Sequence, residues 1–404
     1  MSRLQMTDMA CSTGQEHSHV RTHPLRVFDV AKSQGRYLYA CAPMVRYSKL
    51  AFRQTVHHYG TDLCWTPMIL AKEFNRNNFA RDSDLTISTA RPELPTIAQF
   101  GSNSPLELSR AASLAAPFVN GVDLNCGCPQ SWACAETLGA ALMEKRELVR
   151  DMVVATRQRL RDDGWGVSKE ADIENSEGKG RSVSVKIRVH GDLRKTVDFI
   201  TTVLGDDHNR NIDWLTIHPR TRYTQSSVPI NLEALELLTN MFGDKLPVLV
   251  SGDVFTLSTL PYTSHLLQPQ PTFTSTGDKP ENNGVPAASN VQPHLPKLAG
   301  LMSARALLAN PALFAGYETC PWEAVDVFMN NVARAPLPLK LGIHHLTEMC
   351  GAGFGPDRSA LLSKKERIRL TGFDNWVDVI DFIDEVKQTR GIKPVVRFAG
   401  GLSS

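Results

Sequence analysis

The chain reads as an α/β protein: a closed (β/α)₈ barrel followed by a small all-helical domain. Three observations carry that reading. Eight short apolar runs of the buried-strand kind recur between Tyr37 and Arg305. Most of them are followed by a stretch whose apolar residues keep helical spacing. Beyond Pro321 only amphipathic helical pieces follow. Parallel strands covered on both faces read as continuous apolar runs, and eight strand–helix units over about 250 residues make one closed barrel.

YLYACAPM (Tyr37 to Met44) is the first run, with a helical stretch from Ser48 to about Tyr59 behind it. DLCWTPM (Asp62 to Met68) and TIAQF (Thr96 to Phe100) are the second and third. SPLELSRAASLAAPF then opens with Ser104, Pro105 and Glu107. That is a capping hydroxyl, a proline at the first helical position and an acid three residues past the cap, the pattern of a capping box. GVDLNC (Gly121 to Cys126) is the fourth run, stopped by Gly127 and Pro129. A single helix is expected from Glu136 to about Leu160, where Leu138, Leu142, Val149, Met152 and Val153 share one face. VSVKIRV (Val183 to Val189) is the fifth run, before a helix from about Leu193. WLTIHPR (Trp214 to Arg220), PVLVSGDV (Pro247 to Val254) and LAGLMSAR (Leu298 to Arg305) complete the set. The barrel falls at residues 36–318 and the helical domain at 321–404, the latter from WEAVDVFMNNVARA, LGIHHLTEMC and WVDVIDFIDEVKQTR.

Three stretches break the alternation and are expected to be disordered: the polar tail at 1–30, and insertions at about 162–181 and 261–296. The second insertion stands where the helix after the seventh strand belongs. Composition is that of a soluble globular protein, with 42% hydrophobic and 21% charged residues in 404. A formal net charge of +2 gives no overall pull on a polyanion, so any nucleic-acid contact needs a local basic patch. The eight cysteines, Cys11, Cys41, Cys64, Cys126, Cys128, Cys134, Cys320 and Cys350, lack framework spacing and read as reduced thiols. No run approaches the roughly 18 apolar residues of a membrane span, and the N-terminus has no hydrophobic signal core. The expectation is an intracellular monomer, cytoplasmic or nuclear, with no metal.

Barrels of this kind carry their sites at the C-terminal strand ends. There the first strand places Pro43 and Met44, the third Gln99, and the fourth Cys128. The fifth gives Lys186 and Arg188, the sixth His218, Arg220 and Arg222, the seventh Ser251, Gly252 and Asp253, and the eighth Ala304 and Arg305. The set has no carboxylate pair, no Ser-His-Asp arrangement and no clustered metal spacing. Amide, ammonium, imidazole and guanidinium donors suit an anionic heteroaromatic ligand, and flavin mononucleotide (FMN) fits. An amide and a lysine would meet the ring edge, and Arg305 with the following helix N-terminus the phosphate. Lys186 lies inside an apolar run, where an unpaired ammonium is costly, so a ligand partner is expected. Cys126 and Cys134 read as packing thiols, His344 and His345 as packing residues, and SKKERIRL (Ser363 to Leu370) as a solvated basic face.

APMVRYSKLAFR, IAQF, DLNCGCP, VKIR, HPRTR, SGDV and GLMSARALLANPALF, in this order from Ala42 to Phe314, resemble the motif series of the tRNA-dihydrouridine synthases. APMVRYSKLAFR and NCGCPQSWA are most similar to the eukaryotic branch that modifies D-loop positions 20a and 20b. The resemblance implies that NADPH, or NADH, reduces FMN and that hydride then passes to C6 of a uridine in tRNA. It further implies that Cys128 is the catalytic acid protonating C5, and that Pro43, Met44, Gln99, Lys186 and His218 contact the flavin. Ser251 to Asp253 occupy a segment usually Asn-Gly-Asp, and Ser303 to Arg305 one usually Ile-Gly-Arg. A Cβ on Ala304 crowds the backbone approach to phosphate expected there. The helical tail would be the tRNA-binding domain, with basic groups at Ser363 to Leu370, Lys393 and Arg397. Two other readings stay open. One is an FMN barrel dehydrogenase acting on a small molecule, which would not need a basic tail. The other is an inactive tRNA-binding homologue, which would be colourless.

Overall fold

The computed structural model describes residues 22–87, 94–170, 180–206, 209–265 and 292–392. Its strands are β1 (Leu38–Cys41), β2 (Leu63–Trp65), β3 (Ile69–Leu70), β4 (Thr96–Gly101), β5 (Gly121–Cys126), β6 (Ser182–Arg188), β7 (Trp214–His218), β8 (Val248–Ser251) and β9 (Gly300–Ser303). Every pairing is parallel, in the order β2-β1-β9-β8-β7-β6-β5-β4-β3, and β2 also pairs with β4, which closes the ring. β3 continues the β2 position against the upper end of β4. The apolar runs do not foresee β3, because Pro67 interrupts the ladder between it and β2. The other eight strands coincide with the eight runs, most of them shorter, with β4 reaching one residue further to Gly101 and β6 starting one earlier at Ser182.

The helices are α1 (Pro24–Ser33), α2 (Leu50–His58), α3 (Ala71–Arg76), α4 (Asn78–Asp84), α5 (Pro105–Ala115), α6 (Ser131–Ala135), α7 (Arg146–Asp162), α8 (Leu193–Leu204) and α9 (Leu232–Phe242) in the barrel. Then come α10 (Arg305–Ala309), α11 (Trp322–Arg334), α12 (Leu339–Met349), α13 (Lys364–Thr371) and α14 (Trp376–Thr389). Several differ from expectation. The tail at 1–30 contains most of α1, which buries Pro24, Phe28 and Ala31; residues 1–21 lie outside the described residues. The single helix from Glu136 is instead a 3₁₀ segment Gly139–Glu144 and α7, cut off from the short α6 before it by left-handed φ values of 57° at Thr137 and 59° at Gly139. The capping box of α5 is half made. Ser104 Oγ accepts the Glu107 N–H, but the Glu107 carboxylate turns away to Asn75 and Arg76 of α3.

Both insertions are ordered at their ends. Gly166 bridges Gly180, and Arg181 stacks its guanidinium 4.1 Å over Trp165. In the second, Thr263 bridges His294, and Tyr262 and Leu295 are buried. Residues 171–179 and 266–291 lie outside the described residues.

Period-2 alternation splits the apolar residues between two cores. Outward-facing Val122, Leu124 and Cys126 of β5, with their equivalents on neighbouring strands, pack under the helices. Inward-facing Leu38, Ala40, Leu63, Trp65, Ile97, Trp214, Leu249 and Met302 fill the barrel's interior. α1 closes the N-terminal mouth: Phe28 lies 5.6 Å from the Trp214 ring, which meets Trp65 edge-on at 6.2 Å. Burying each such side chain contributes about 1.5–3 kcal/mol.

The helical domain docks on the barrel through α2. Asn331 of α11 donates to Thr55 Oγ1 at 3.0 Å. His345 of α12, fully buried, packs its ring 5.0 Å from both Phe52 and Phe328. Burial pushes its pKa down to about 3, so it is a neutral packing group. His344 stacks 4.9 Å from Tyr47.

Candidate active site

Opposite α1, the chain leaving β5 makes the turn that carries Cys128. Cys126 is the last strand residue and is fully buried on the helix side. Asn125, pointing inward, accepts the backbone N–H groups of Gly127 (3.0 Å) and Cys128 (2.9 Å) on its Oδ1. This side-chain turn lifts Cys128 into a half-buried position over the barrel. Cys128 O then accepts Ala140 N–H at 2.8 Å. Gly139 has to be glycine: its φ is 59°, and a Cβ would stand 2.5 Å from Cys128 O and 2.8 Å from Cys128 Cβ. Arg188 ties the turn to the next loop but one, donating from Nε to Gly127 O (2.9 Å) and from Nη1 to Thr221 O (2.7 Å).

Around the thiol the strand ends gather cations. Register sets Asn125 beside Lys186 and Arg188 beside His218. Lys186 has no hydrogen-bond or ion-pair partner among the described residues. Burial, and then Arg188, lower its pKa to about 8, against the pull of Asp123 and Cys128. His218 is pushed down to about 2 by burial and by Lys186, Arg188, Arg220 and Arg305. It is therefore neutral, and because Arg220 Nη1 donates to its Nε2 at 3.0 Å, its own proton sits on Nδ1. Burial raises the Cys128 thiol above its ordinary value, with the Gln130 backbone, Arg188 and Lys186 opposing. Cys128 thus holds its proton at neutral pH. Arg188, by contrast, is lowered by burial and by Arg220.

The other predicted residues divide into two groups. Pro43, Met44, Ser251, Gly252, Ala304 and Arg305 lie at the strand ends, with Arg305 exposed and its guanidinium 5.8 Å from the Phe354 ring. Gly252 has φ 109°, and a Cβ there would meet the His218 ring at 2.9 Å. Ala304 has φ −121°, outside the left-handed region, so alanine in place of glycine brings no such strain. The helix that follows Ala304 is only five residues long. Asp253 and Gln99 are engaged within the protein. Asp253 accepts from Arg220 (2.5 Å) and from Ile230 N–H (2.8 Å). Gln99 is fully buried, donating from Nε2 to Asp123 at 2.7 Å and accepting from Asn125 Nδ2 at 2.8 Å.

Sequence reasoning passed over Asp123 and Asn125. The signal was present: a carboxylate inside an apolar strand is as anomalous as Lys186. Asp123 is buried, accepts from Gln99 and from Ser184 Oγ (2.6 Å), and has its pKa raised to about 6 by burial, against those bonds and Lys186.

The closed parallel barrel, with Cys128, Lys186 and His218 gathered at its C-terminal face, places the chain among the (β/α)₈ barrel proteins. The comparisons narrow this. The model of the family described as "Dihydrouridine synthase (Dus)" matches residues 40–264, more than half of the chain. The chain is 35% identical over 362 residues (90% of it, 91% of the relative) to the Schizosaccharomyces pombe tRNA-dihydrouridine(20a/20b) synthase [NAD(P)+]. It is 33% identical over 367 residues (90% and 84%) to the Saccharomyces cerevisiae protein of that name. A human protein, tRNA-dihydrouridine(20a/20b) synthase [NAD(P)+]-like, is 37% identical over 297 residues (72% and 77%). The chain belongs to the dihydrouridine synthase family.

Proposed function

We propose that this protein reduces the C5–C6 double bond of uridine in the tRNA D-loop, at positions 20a and 20b, using FMN and an NAD(P)H reductant. The observation that carries the reading is the Cys128 thiol, half-buried and protonated, on the same strand-end face as an unpartnered lysine and a neutral histidine. The relatives' names supply tRNA, the D-loop positions and the nicotinamide reductant.

The residues present fit FMN. Lys186 is a desolvated ammonium lacking a counter-ligand, and His218 offers Nδ1–H; both suit the electron-rich edge of the ring. When bound, FMN would supply the hydride carrier between NAD(P)H and C6 of the uracil. Lys186 and His218 would hold that edge, with Pro43 and Met44 from the first strand end. Gln99 enters through the buried network beneath, and Asp253 by fixing Arg220 behind His218. Ser251, Gly252, Ala304 and Arg305 line the side assigned to phosphate. Cys128 gives its proton to C5, which needs the thiol form that burial maintains.

The helical domain is read as the tRNA platform. Lys364 and Lys365 of α13 are exposed and Arg367 half-exposed, on a helix started by a complete capping box of Ser363 and Glu366. Lys393 and Arg397 lie outside the described residues. Incubating the purified protein with FMN, NADPH and unmodified tRNA, and mapping dihydrouridine by position, tests the reading. A protein that takes up no flavin, or that leaves 20a and 20b unreduced, overturns it.

A further inference from the structure

The mouth of the barrel rests on a chain of side-chain hydrogen bonds that begins at a buried carboxylate and ends on the backbone of Cys128. Ser184 Oγ and Gln99 Nε2 donate to the two oxygens of Asp123 at 2.6 and 2.7 Å. Asn125 Nδ2 donates to Gln99 Oε1 at 2.8 Å, and Asn125 Oδ1 accepts from Gly127 and Cys128. Three strands, β4, β5 and β6, contribute, and Asp123, Gln99 and Ser184 are at most 1% exposed.

The polarity of this chain is fixed at both ends: the backbone N–H groups of Gly127 and Cys128 can only donate, and an ionised carboxylate can only accept. An amide side chain can turn over and exchange its donor for its acceptor at almost no cost in shape. A carboxylate cannot, because it only accepts. With Asp123 ionised, Gln99 must aim Nε2 at it and so presents Oε1 to Asn125. Asn125 must then donate from Nδ2, which leaves its Oδ1 for the two N–H groups of the turn. We propose that Asp123 is a positioning residue: as the terminal acceptor it completes the one orientation of both amides that the turn N–H groups demand, and thereby holds the turn presenting Cys128. Its hydrogen bonds go to Gln99 and Ser184, not to the thiol, and it is 1% exposed. Among the described residues no other side chain on this path is confined to accepting.

This rests on the flavin reading only where FMN is the probe, so the primary test uses apoprotein. Cys128 is a half-buried thiol and Cys320, ahead of α11, a buried one, and site-resolved iodoacetamide alkylation reads them separately. Asp123→Leu removes the acceptor. Cys128 alkylation is expected to change about fivefold or more, the factor for a buried hydrogen-bonding group left without its partner, with Cys320 at its wild-type rate. FMN affinity is expected to fall by a similar factor. Asp123→Asn can still accept from Gln99 while donating to Ser184, so Cys128 alkylation should remain at the wild-type rate. Should Asp123→Leu not fold, Gln99→Met breaks the chain with the carboxylate in place and is expected to reproduce the Cys128 change. A wild-type Cys128 rate in a folded Asp123→Leu or Gln99→Met protein overturns the proposal. So does an Asp123→Asn protein as altered as Asp123→Leu. Failure of wild-type protein to bind FMN would bear on the function, not on this relay.

Discussion

The two ends of the barrel's interior are built from the same strands and could hardly differ more. At the N-terminal end α1, Trp65, Trp214 and Leu249 make a dry plug in which shape and area set the energy. At the C-terminal end the same inward positions carry Gln99, Asp123 and Asn125, joined by hydrogen bonds, and Lys186 and His218, which leave the charge unbalanced. The plug holds the fold closed. The mouth holds three cations, Lys186, Arg188 and Arg220, near two carboxylates, Asp123 and Asp253, and Asp253 is already paired with Arg220. Desolvating an ammonium without a partner costs stability, so the mouth is tolerated because the plug offsets it.

Substitutions at the two ends should therefore fail in different ways. The largest effect belongs to Cys128→Ala. Flavin uptake and its reduction by NADPH should persist while dihydrouridine formation drops about 10²–10⁴-fold, the usual worth of a general acid. Near-normal product by position-resolved assay would remove Cys128 from the mechanism. Trp214→Ala, at the other end, should cost about 3–5 kcal/mol in urea unfolding, as large-to-small changes in closed cores do. Activity per folded molecule should survive, and a loss of catalysis at unchanged stability would erase the distinction between the ends.

Lys186 sharpens the comparison through pH. Its ammonium, lowered to about 8, loses its proton as pH rises through that value, and an anionic ligand loses its partner with it. FMN affinity of the apoprotein should thus be flat below about pH 8 and weaken above it. Lys186→Met should bind about tenfold more weakly, by the worth of a charged hydrogen bond, and show no such limb. Flavin fluorescence titration across pH reads both. The smallest effect is expected on α13, where basic groups are solvated and Arg369 and Arg390 already pair with Glu385 and Glu366. Replacing Lys364, Lys365 and Arg367 by alanine should weaken tRNA binding a few-fold and reduce the slope of log affinity against log salt by up to about three. An unchanged slope returns this run to a plain solvated face.

Eight buried strands were legible because each is a continuous apolar run of the right length, and the run carries its own punctuation at Gly127, Pro129 and the Ser104 cap. The place of Cys128 at a strand end was legible for the same reason. α1 was not, since its helix is stabilised by inserting Phe28 against Trp214, a residue nearly two hundred positions away. The break at Gly139 was hidden by an apolar pattern that continues through it; what forces the left-handed turn is the close approach of Cys128, again a tertiary fact. The hydrogen-bond partners of Gln99 and Asp253 were not legible for a related reason. Sequence places a residue type at a strand end, but hydrogen-bond partners are chosen across strands, where Asp123, Asn125 and Arg220 claim them first. Local pattern thus determined the elements and the face that carries the chemistry. Contacts between segments far apart in sequence decided which of those side chains bond one another and which, like Lys186, stay without a partner among the described residues.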